Sequence, residues 1–343
     1  MSEPRFDPTR AEPRLALTAA PHLHTADDTA RIMWTVVYTL LPVVALSAYF
    51  FGISALLMVA TTTLAAVATE RLTGGRGPIR DGSATITGLL LGLTLPAGMP
   101  LWMAALGGIV SIGMGKMLFG GLGQNVFNPA LVGRAFLQAA FPIAITTWPQ
   151  VGGGFFALRG DNFALPLMSA RATDVITQAT PLGRMKFEHA ATDLGSLLLG
   201  NTGGSVGETS ALLILLCGAY LAWKRYLNWR IPASILLTVA LFAGILYAVD
   251  ATRFPSPAFM LLSGGLMLGA VYMATDMVTS PITPLGAWIF GAGIGFLVVL
   301  IRVWGGLPEG VMYAILLMNA LVPFINRATQ PRVFGAPRRA VTA

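Results

Sequence analysis

Apolar runs, most of them close to the length of a membrane-spanning helix, alternate with short polar segments along most of the chain. Roughly twenty helical residues cross the hydrocarbon core of a bilayer, so we interpret these runs as spans. Two of them are short, 83–95 and 126–140, which is typical of tilted helices or of half-helices buried in protein. The runs are 31–51, 53–69, 83–95, 100–119, 126–140, 209–223, 232–249, 258–275, 285–302 and 308–326.

An internal repeat relates the third to fifth runs to the eighth to tenth. Phe119-Gly120-Gly121-Leu122 follows the fourth run, and Trp304-Gly305-Gly306-Leu307 follows the ninth. The alternative is that Gly-rich apolar spans resemble each other through composition alone. Since five is an odd number, a repeated five-helix half enters the membrane in the opposite sense. We therefore predict an all-α polytopic membrane protein of about ten helices in two inverted five-helix repeats.

The predicted domain organisation follows from this repeat. The predicted segments are a cytoplasmic tail (1–30), the first repeat (31–140), an outer, periplasmic loop (141–208), the second repeat (209–326) and a second cytoplasmic tail (327–343).

Glycines in the predicted spans are expected to let helix backbones approach each other closely. They are Gly107, Gly108, Gly113, Gly115, Gly291, Gly293 and Gly295.

Lys and Arg residues set the predicted orientation. With the N-terminus inside, the inner segments hold 15 of them and the outer segments hold 6, including Arg302. This bias satisfies the positive-inside rule, so both termini are predicted to be cytoplasmic. The net charge of +7 then reports topology and not nucleic-acid binding.

Composition narrows the chemistry. Hydrophobic residues make up 55% of the chain and charged residues only 11%, against about 25% charged in soluble domains. The single cysteine, Cys217, excludes an internal disulfide and an iron–sulfur cluster ligated by this chain alone. His22, His24 and His189 are dispersed, which argues against a haem or zinc site. No cleavable signal peptide is predicted.

Three polar segments are candidates for a binding role. Asn128-Pro129 is typical of a helix start, following a Gly-rich turn that contains Asn125. Such an N-terminus suits either an anionic or carbonyl-bearing ligand or simply a capped turn. Arg134 lies within an apolar run, where a charge indicates function unless it snorkels to the interface. For Asp81 and Asp276, capping is the favoured role.

The long segment 141–208 contains the run Asp174-Val175-Ile176-Thr177-Gln178-Ala179-Thr180-Pro181-Leu182. Thr180 followed by Pro181 is explained structurally by an N-cap and a proline in the first helical position. A loop of this length between spans is usually functional, but the residues alone do not indicate a modification.

Taken together, these motifs resemble a known family. The runs Asp81–Gly88, Gly123–Phe136, Asp174–Leu182 and Thr275–Leu285 are similar to RnfD, a membrane subunit of the Rnf ion-translocating oxidoreductases, and to the B subunit of sodium-pumping NADH:quinone reductases. The resemblance covers about residues 30–326. Its most specific part is Gln-Asn-x-Phe-Asn-Pro-Ala-Leu-x-Gly-Arg.

The resemblance implies FMN joined through its phosphate to Thr180 by a flavin transferase, with Asp174, Thr177 and Ala179 as recognition residues. We expect Thr180 to be exposed to that transferase. The family motif is Ser/Thr-x-Ala-Thr, and it corresponds here to Thr177-Gln178-Ala179-Thr180, so that Gln178 occupies the variable position. The resemblance also implies a noncovalent riboflavin near the inner helix ends. Residues expected to contact flavin are Arg134, Asn125, Asn128 and Thr283.

The resemblance implies a flavin-containing subunit of a translocase in the bacterial inner membrane, and this subunit is expected to be inactive alone. It would pass electrons between ferredoxin and NAD, and the complex would couple this electron transfer to movement of Na⁺ or H⁺. The implied partners are the other Rnf subunits (A, B, C, E and G), the transferase and the lipid bilayer, with no nucleic acid. One alternative is a urea-channel-like transporter or channel without flavin, because inverted repeats with short helices suit such folds. Another is a flavin-free scaffold subunit.

Overall fold

The computed structural model describes residues 27–74, 81–166, 179–188, 190, 192–208 and 210–331, and the regular elements of these residues are helices. In chain order they are α1 Thr29–Phe51, α2 Ile53–Gly74, α3 Ser83–Thr94, α4 Leu101–Gly113, α5 Pro129–Ala140, α6 Pro142–Thr146, α7 Pro181–Glu188, α8 Leu194–Leu199, α9 Ala211–Trp223, α10 Arg230–Val249, α11 Pro257–Leu262, α12 Leu266–Leu268, α13 Pro284–Trp304 and α14 Val311–Ala328.

Six helical segments in this part of the chain are long and apolar enough to cross a membrane. They are α1, α2, the segment Leu101–Phe119 that begins with α4, α10, α13 and α14. Helices α3 and α5, with 12 residues each, and α9, with 13, are shorter than a bilayer core requires. The predicted all-α polytopic membrane fold is confirmed, and the two short runs of the sequence correspond to α3 and α5.

The predicted continuous span at 258–275 is wrong. Helix α11 ends at Leu262, α12 begins at Leu266 and continues through a π-helical turn, Gly269–Met273. Gly264 lies at the break with φ of +66°, and a Cβ there would come within 2.6 Å of Leu182 Cδ1. Glycine adopts this conformation without strain, and a side chain at this position would have to displace the side chain of Leu182 on α7.

Helices in corresponding positions of the two halves run antiparallel. Asp27, just before α1, accepts a hydrogen bond from Tyr226 Oη just after α9, while Ser47 near the end of α1 donates to Val206 O just before α9. Similarly, Asn128 at the start of α5 lies beside Asn319 in the middle of α14, whereas Arg134 further along α5 reaches Glu309 before α14. An inverted repeat produces this arrangement. The domain boundaries and the number of crossings stay predictions.

Glycines bring helices close together within each half, as the sequence predicts. A Cβ on Gly108 of α4 would lie 2.8 Å from Thr62 O of α2. On α13, a Cβ on Gly291 would lie 2.7 Å from Ile231 O of α10. Gly113 differs, because nothing lies within 4 Å of its Cβ position, so its predicted packing role is wrong.

Candidate functional site

A cavity of about 350 Å³ lies between α5, α7, the segment before α9 and the α13–α14 connection. We call it the Thr180 cavity. Its polar lining includes Thr180, Arg134, Ser205, Glu208 and Glu309, and its apolar lining includes Leu131, Leu268, Met273 and Met312. The structure therefore brings together Thr180 and Arg134, which are 46 positions apart in the sequence.

Thr180 begins α7. Its Oγ1 accepts a hydrogen bond of 3.1 Å from the Gly183 N–H, and Pro181 is the first residue of the helix, so the predicted cap is confirmed. Pro181 and Leu182 are buried, and Leu182 packs against Leu197 and Phe259. This packing holds the start of α7 inside the protein. Thr180 is only 5% exposed, so the expectation of an exposed threonine is wrong.

Arg134 reaches the cavity from α5 and pairs with Glu309. Its Nη2 lies 2.7 Å from Glu309 Oε2, and the two side chains are 10% and 17% exposed. The arginine is therefore paired inside the protein and does not snorkel. Arg134 Nε is buried without a hydrogen-bond partner among the described residues, which leaves one donor free beside the cavity. The Glu309 carboxylate interacts with the neighbouring Glu208 carboxyl group.

Glu208 and Arg302 complete a buried group of four ionisable side chains with Arg134 and Glu309. Burial raises the pKa of Glu208 well above its usual value, and the neighbouring Glu309 carboxylate adds to the rise. Burial alone would raise the pKa of Glu309 too, but Arg134 and Arg302 hold it below its usual value. Arg302 donates to Met260 O at 2.6 Å and to Ser263 O at 2.9 Å, at the α11–α12 break.

Sequence reasoning missed three of these four residues. Glu208 and Glu309 each stand alone next to an apolar run, and Arg302 counts among the outer topology charges. The available signal was that a charge inside a span, Arg134, needs a partner of opposite sign. Carboxylates at the same predicted end of the bundle were the candidates for that partner.

Asn125 and Asn128 lie elsewhere, around a second cavity of about 90 Å³ that we call the Asn128 cavity. Asn128 caps α5 as predicted, since its Oδ1 accepts from Ala130 N at 3.0 Å. Its Nδ2 donates to Met273 O at 3.0 Å, and Asn125 Nδ2 donates to Phe127 O at 3.2 Å. Lys116, also on this cavity, forms a buried ion pair with Glu70.

The remaining candidates are placed as follows. Thr283 caps α13 by accepting from Gly286 N at 3.0 Å, and it lines neither cavity. Ala179 lines the Thr180 cavity. Asp174 and Thr177 lie outside the described residues. Asp81 accepts a hydrogen bond from Ser83 N at 2.8 Å, and Asp276 accepts one from Thr279 Oγ1 at 3.1 Å. Both carboxylates therefore cap local turns, as predicted from the sequence.

The helices and the buried charged cavity define a polytopic membrane protein with an internal polar site. The profile of the NQR2, RnfD, RnfE family matches residues 16–335, and the chain belongs to this family. It is 40% identical to the D subunit of the proton-translocating ferredoxin:NAD(+) oxidoreductase complex of Clostridium ljungdahlii, with 94% of this chain and 96% of the relative covered.

Two further relatives agree with this assignment. The D subunit of the Na(+)-translocating ferredoxin:NAD(+) oxidoreductase complex of Acetobacterium woodii is 40% identical, with 95% of this chain and 97% of the relative covered. The D subunit of the ion-translocating oxidoreductase complex of Stutzerimonas stutzeri is 43% identical, with 90% and 93% covered. The family resemblance is confirmed, and these relatives give no support to the channel alternative.

Proposed function

We propose that this chain is the D subunit of an Rnf-type membrane complex and that Thr180 carries FMN through a phosphoester bond. The complex would pass electrons between ferredoxin and NAD and couple this transfer to movement of Na⁺ or H⁺. The observation that carries the proposal is the position of the Thr180 hydroxyl in the wall of a 350 Å³ cavity beside a buried arginine, in a chain of this family.

The residues around the cavity fit such a group. Small-molecule sites typically occupy about 300–1,000 Å³ and combine apolar walls with a few placed polar groups. The apolar lining given by Leu131, Leu268 and Met312 would contact a flavin ring. Arg134 Nε, buried and without a partner among the described residues, would donate to an anionic phosphate or a ring carbonyl.

The charges also balance. Arg134 and Arg302 contribute two positive charges, Glu309 contributes one negative charge, and burial favours Glu208 in its protonated form. The group then carries a net charge of +1, which a singly charged phosphodiester would neutralise. A low-dielectric site disfavours any uncompensated charge, so this balance supports the proposed ligand.

When bound, FMN supplies the electron-transfer chemistry, and the protein supplies binding, orientation and electrostatics. Thr180 anchors the group and, through its bond to Gly183 N–H, fixes the anchor to α7. Arg134 orients the phosphate, Glu309 holds Arg134 in place, and Glu208 keeps a proton on its carboxyl group. The apolar lining would limit the access of water to the bound group.

Partner subunits are needed for the rest of the chain of electron carriers. Cys217 is the only cysteine, so this chain does not ligate an iron–sulfur cluster alone. We propose the Rnf subunits A, B, C, E and G as partners, and a flavin transferase for attachment. We place the chain in the bacterial inner membrane with both termini cytoplasmic and Thr180 on the periplasmic side, on the strength of the charge bias.

The Asn128 cavity does not fit riboflavin. Its volume of about 90 Å³ is well below that of typical small-molecule sites, and Thr283 does not line it.

Flavin fluorescence of the denatured chain on a gel tests the proposal. The chain is co-produced with an active flavin transferase, beside Thr180→Ala and the control Thr146→Ala, a threonine that lines the same cavity. We expect fluorescent bands for the wild type and the control and a dark band for Thr180→Ala. Fluorescence in all three would show that another residue carries the flavin. Three dark bands, with a control substrate labelled, would refute the proposal and favour a flavin-free scaffold.

A further inference from the structure

A third cavity, of about 300 Å³, lies beside α7 and shares no charged residue with the Thr180 cavity. We call it the Lys186 cavity. It is formed by α7, the segment before α11, α11 itself and the end of α13. We infer that this cavity binds the headgroup of an anionic phospholipid, with the phosphate between Lys186 and Arg253.

Three cationic side chains line the cavity, and no carboxylate among the described residues does. They are Lys186, Arg253 and Arg302. Arg302 is 4% exposed, and its Nε has no hydrogen-bond partner in the described part of the chain. Arg302 faces Glu309 and belongs to the charge balance of the Thr180 cavity, and the Asp250 carboxylate interacts with Arg253 and accepts its backbone N–H at 3.2 Å. No carboxylate among the described residues lines the cavity beside Lys186, so the excess positive charge that an anion would complement is centred on Lys186.

Lys186 is held in position for such a ligand. Its Nζ donates to Gly305 O and to Leu307 O, which ties α7 to the α13–α14 connection. An ammonium group has three N–H donors, so one remains for a ligand oxygen. Burial lowers the pKa of Lys186, and neither of its two carbonyl partners carries a compensating charge. A phosphate oxygen would supply that charge.

The apolar part of the cavity selects an amphiphile over a free anion. Leu182, Met185, Phe259 and Met260 line it together with the cationic groups. These side chains offer an acyl chain or glycerol backbone the contact that inorganic phosphate does not use. A ligand with both an anionic and an apolar part satisfies both halves of the lining.

Aromatic residues place this cavity at the level of lipid headgroups. Trp304, which lines it, is 56% exposed, and its ring centroid lies 6.4 Å from that of Phe254. The cluster continues along α10 and α13, where Phe242 and Phe296 stack at 5.2 Å. Exposed Trp next to apolar helix surface is typical of the membrane–water interface, where lipid phosphates lie.

Quenching of tryptophan fluorescence by brominated lipids tests the inference on the purified full-length chain. The protein is reconstituted in phosphatidylcholine vesicles containing increasing fractions of brominated phosphatidylglycerol or, in parallel, brominated phosphatidylcholine. The signal of Trp304 is the difference between the wild type and Trp304→Phe. The variants are Lys186→Gln, Arg253→Gln and the matched control Arg184→Gln, since Arg184 is on the same helix, pairs with Glu188 and does not line the cavity.

We expect brominated phosphatidylglycerol to quench Trp304 at a lower mole fraction than brominated phosphatidylcholine. Each of Lys186→Gln and Arg253→Gln should weaken this preference about fivefold, because one basic residue near the headgroups contributes about that factor, and Arg184→Gln should leave it unchanged. Equal quenching by the two lipids, or a preference that both variants retain, would overturn the inference. So would displacement of the lipid by millimolar inorganic phosphate, which would identify a free-anion site.

Discussion

The ion pair between Arg134 and Glu309 connects the two halves of the protein, and breaking it from one side should be costly. Both side chains are largely buried, and the Nη2–Oε2 distance is 2.7 Å. Removing one partner of a buried pair leaves the other charge uncompensated and costs about 3–5 kcal/mol. Because Arg302 also faces Glu309, we expect Arg134→Met to cost about 3 kcal/mol, the lower end of that range.

A double-mutant cycle isolates the interaction. Glu309→Gln alone leaves Arg134 without its carboxylate, whereas Arg134→Met with Glu309→Gln removes both charges together. The double variant should therefore be more stable than the sum of the single changes predicts, with a coupling energy of about 2 kcal/mol. The assay is equilibrium unfolding of the purified chain in mixed micelles of a mild detergent and sodium dodecyl sulfate, followed by loss of helical circular dichroism.

The matched control is the exposed pair Arg184 and Glu188, whose N–O distance is 3.7 Å and whose side chains are 43% and 59% exposed. Its coupling should be no more than about 0.5 kcal/mol, as for other pairs on a helix surface. Additive losses at Arg134 and Glu309, within about 0.5 kcal/mol, would refute the reasoning, since they would mean that the two charges do not depend on each other.

Two further predictions concern packing and protonation. Gly291→Ala should destabilise the protein by about 1–3 kcal/mol, because the added Cβ would lie 2.7 Å from Ile231 O. Gly113→Ala should not destabilise it, because nothing lies within 4 Å of that Cβ position. The same unfolding assay compares the two variants, and equal stability would contradict the packing argument. Glu208 has a raised pKa in the folded protein, so its contribution to stability is complete below the ordinary pKa of a glutamate and is lost as pH rises through the raised value. Glu208→Gln should remove this loss at pH values above the ordinary pKa of a glutamate, and an unchanged pH profile would show that Glu208 is already ionised in the fold.

The local signals in the sequence were reliable where one or two adjacent residues decide the structure. Asn128 followed by Pro129, and Thr180 followed by Pro181, each predict a helix start, and each helix begins there. Apolar runs of sufficient length likewise predict the long helices, since the bilayer imposes the same requirement on each of them.

What the sequence did not predict depends on residues that are distant along the chain. The break at Gly264 lies within an apolar run, and the left-handed backbone and the nearby Leu182 side chain that favour glycine there are visible only in three dimensions. Arg134 was recognised as a functional candidate because it is a charge within an apolar run, but its partner Glu309 is 175 positions away. Isolated acidic residues beside apolar runs are common in loops, so neither Glu208 nor Glu309 stood out.

If Thr180 carries FMN as proposed, its burial constrains the order of biosynthetic events. A transferase has to bring the acceptor hydroxyl into its own active site, and with α7 docked through Pro181 and Leu182 that hydroxyl is enclosed by the protein. Attachment of FMN at Thr180 would therefore have to occur before α7 docks, or during its transient release. Maturation would then be a competition between the enzyme and folding, in which a chain that closes early remains unmodified.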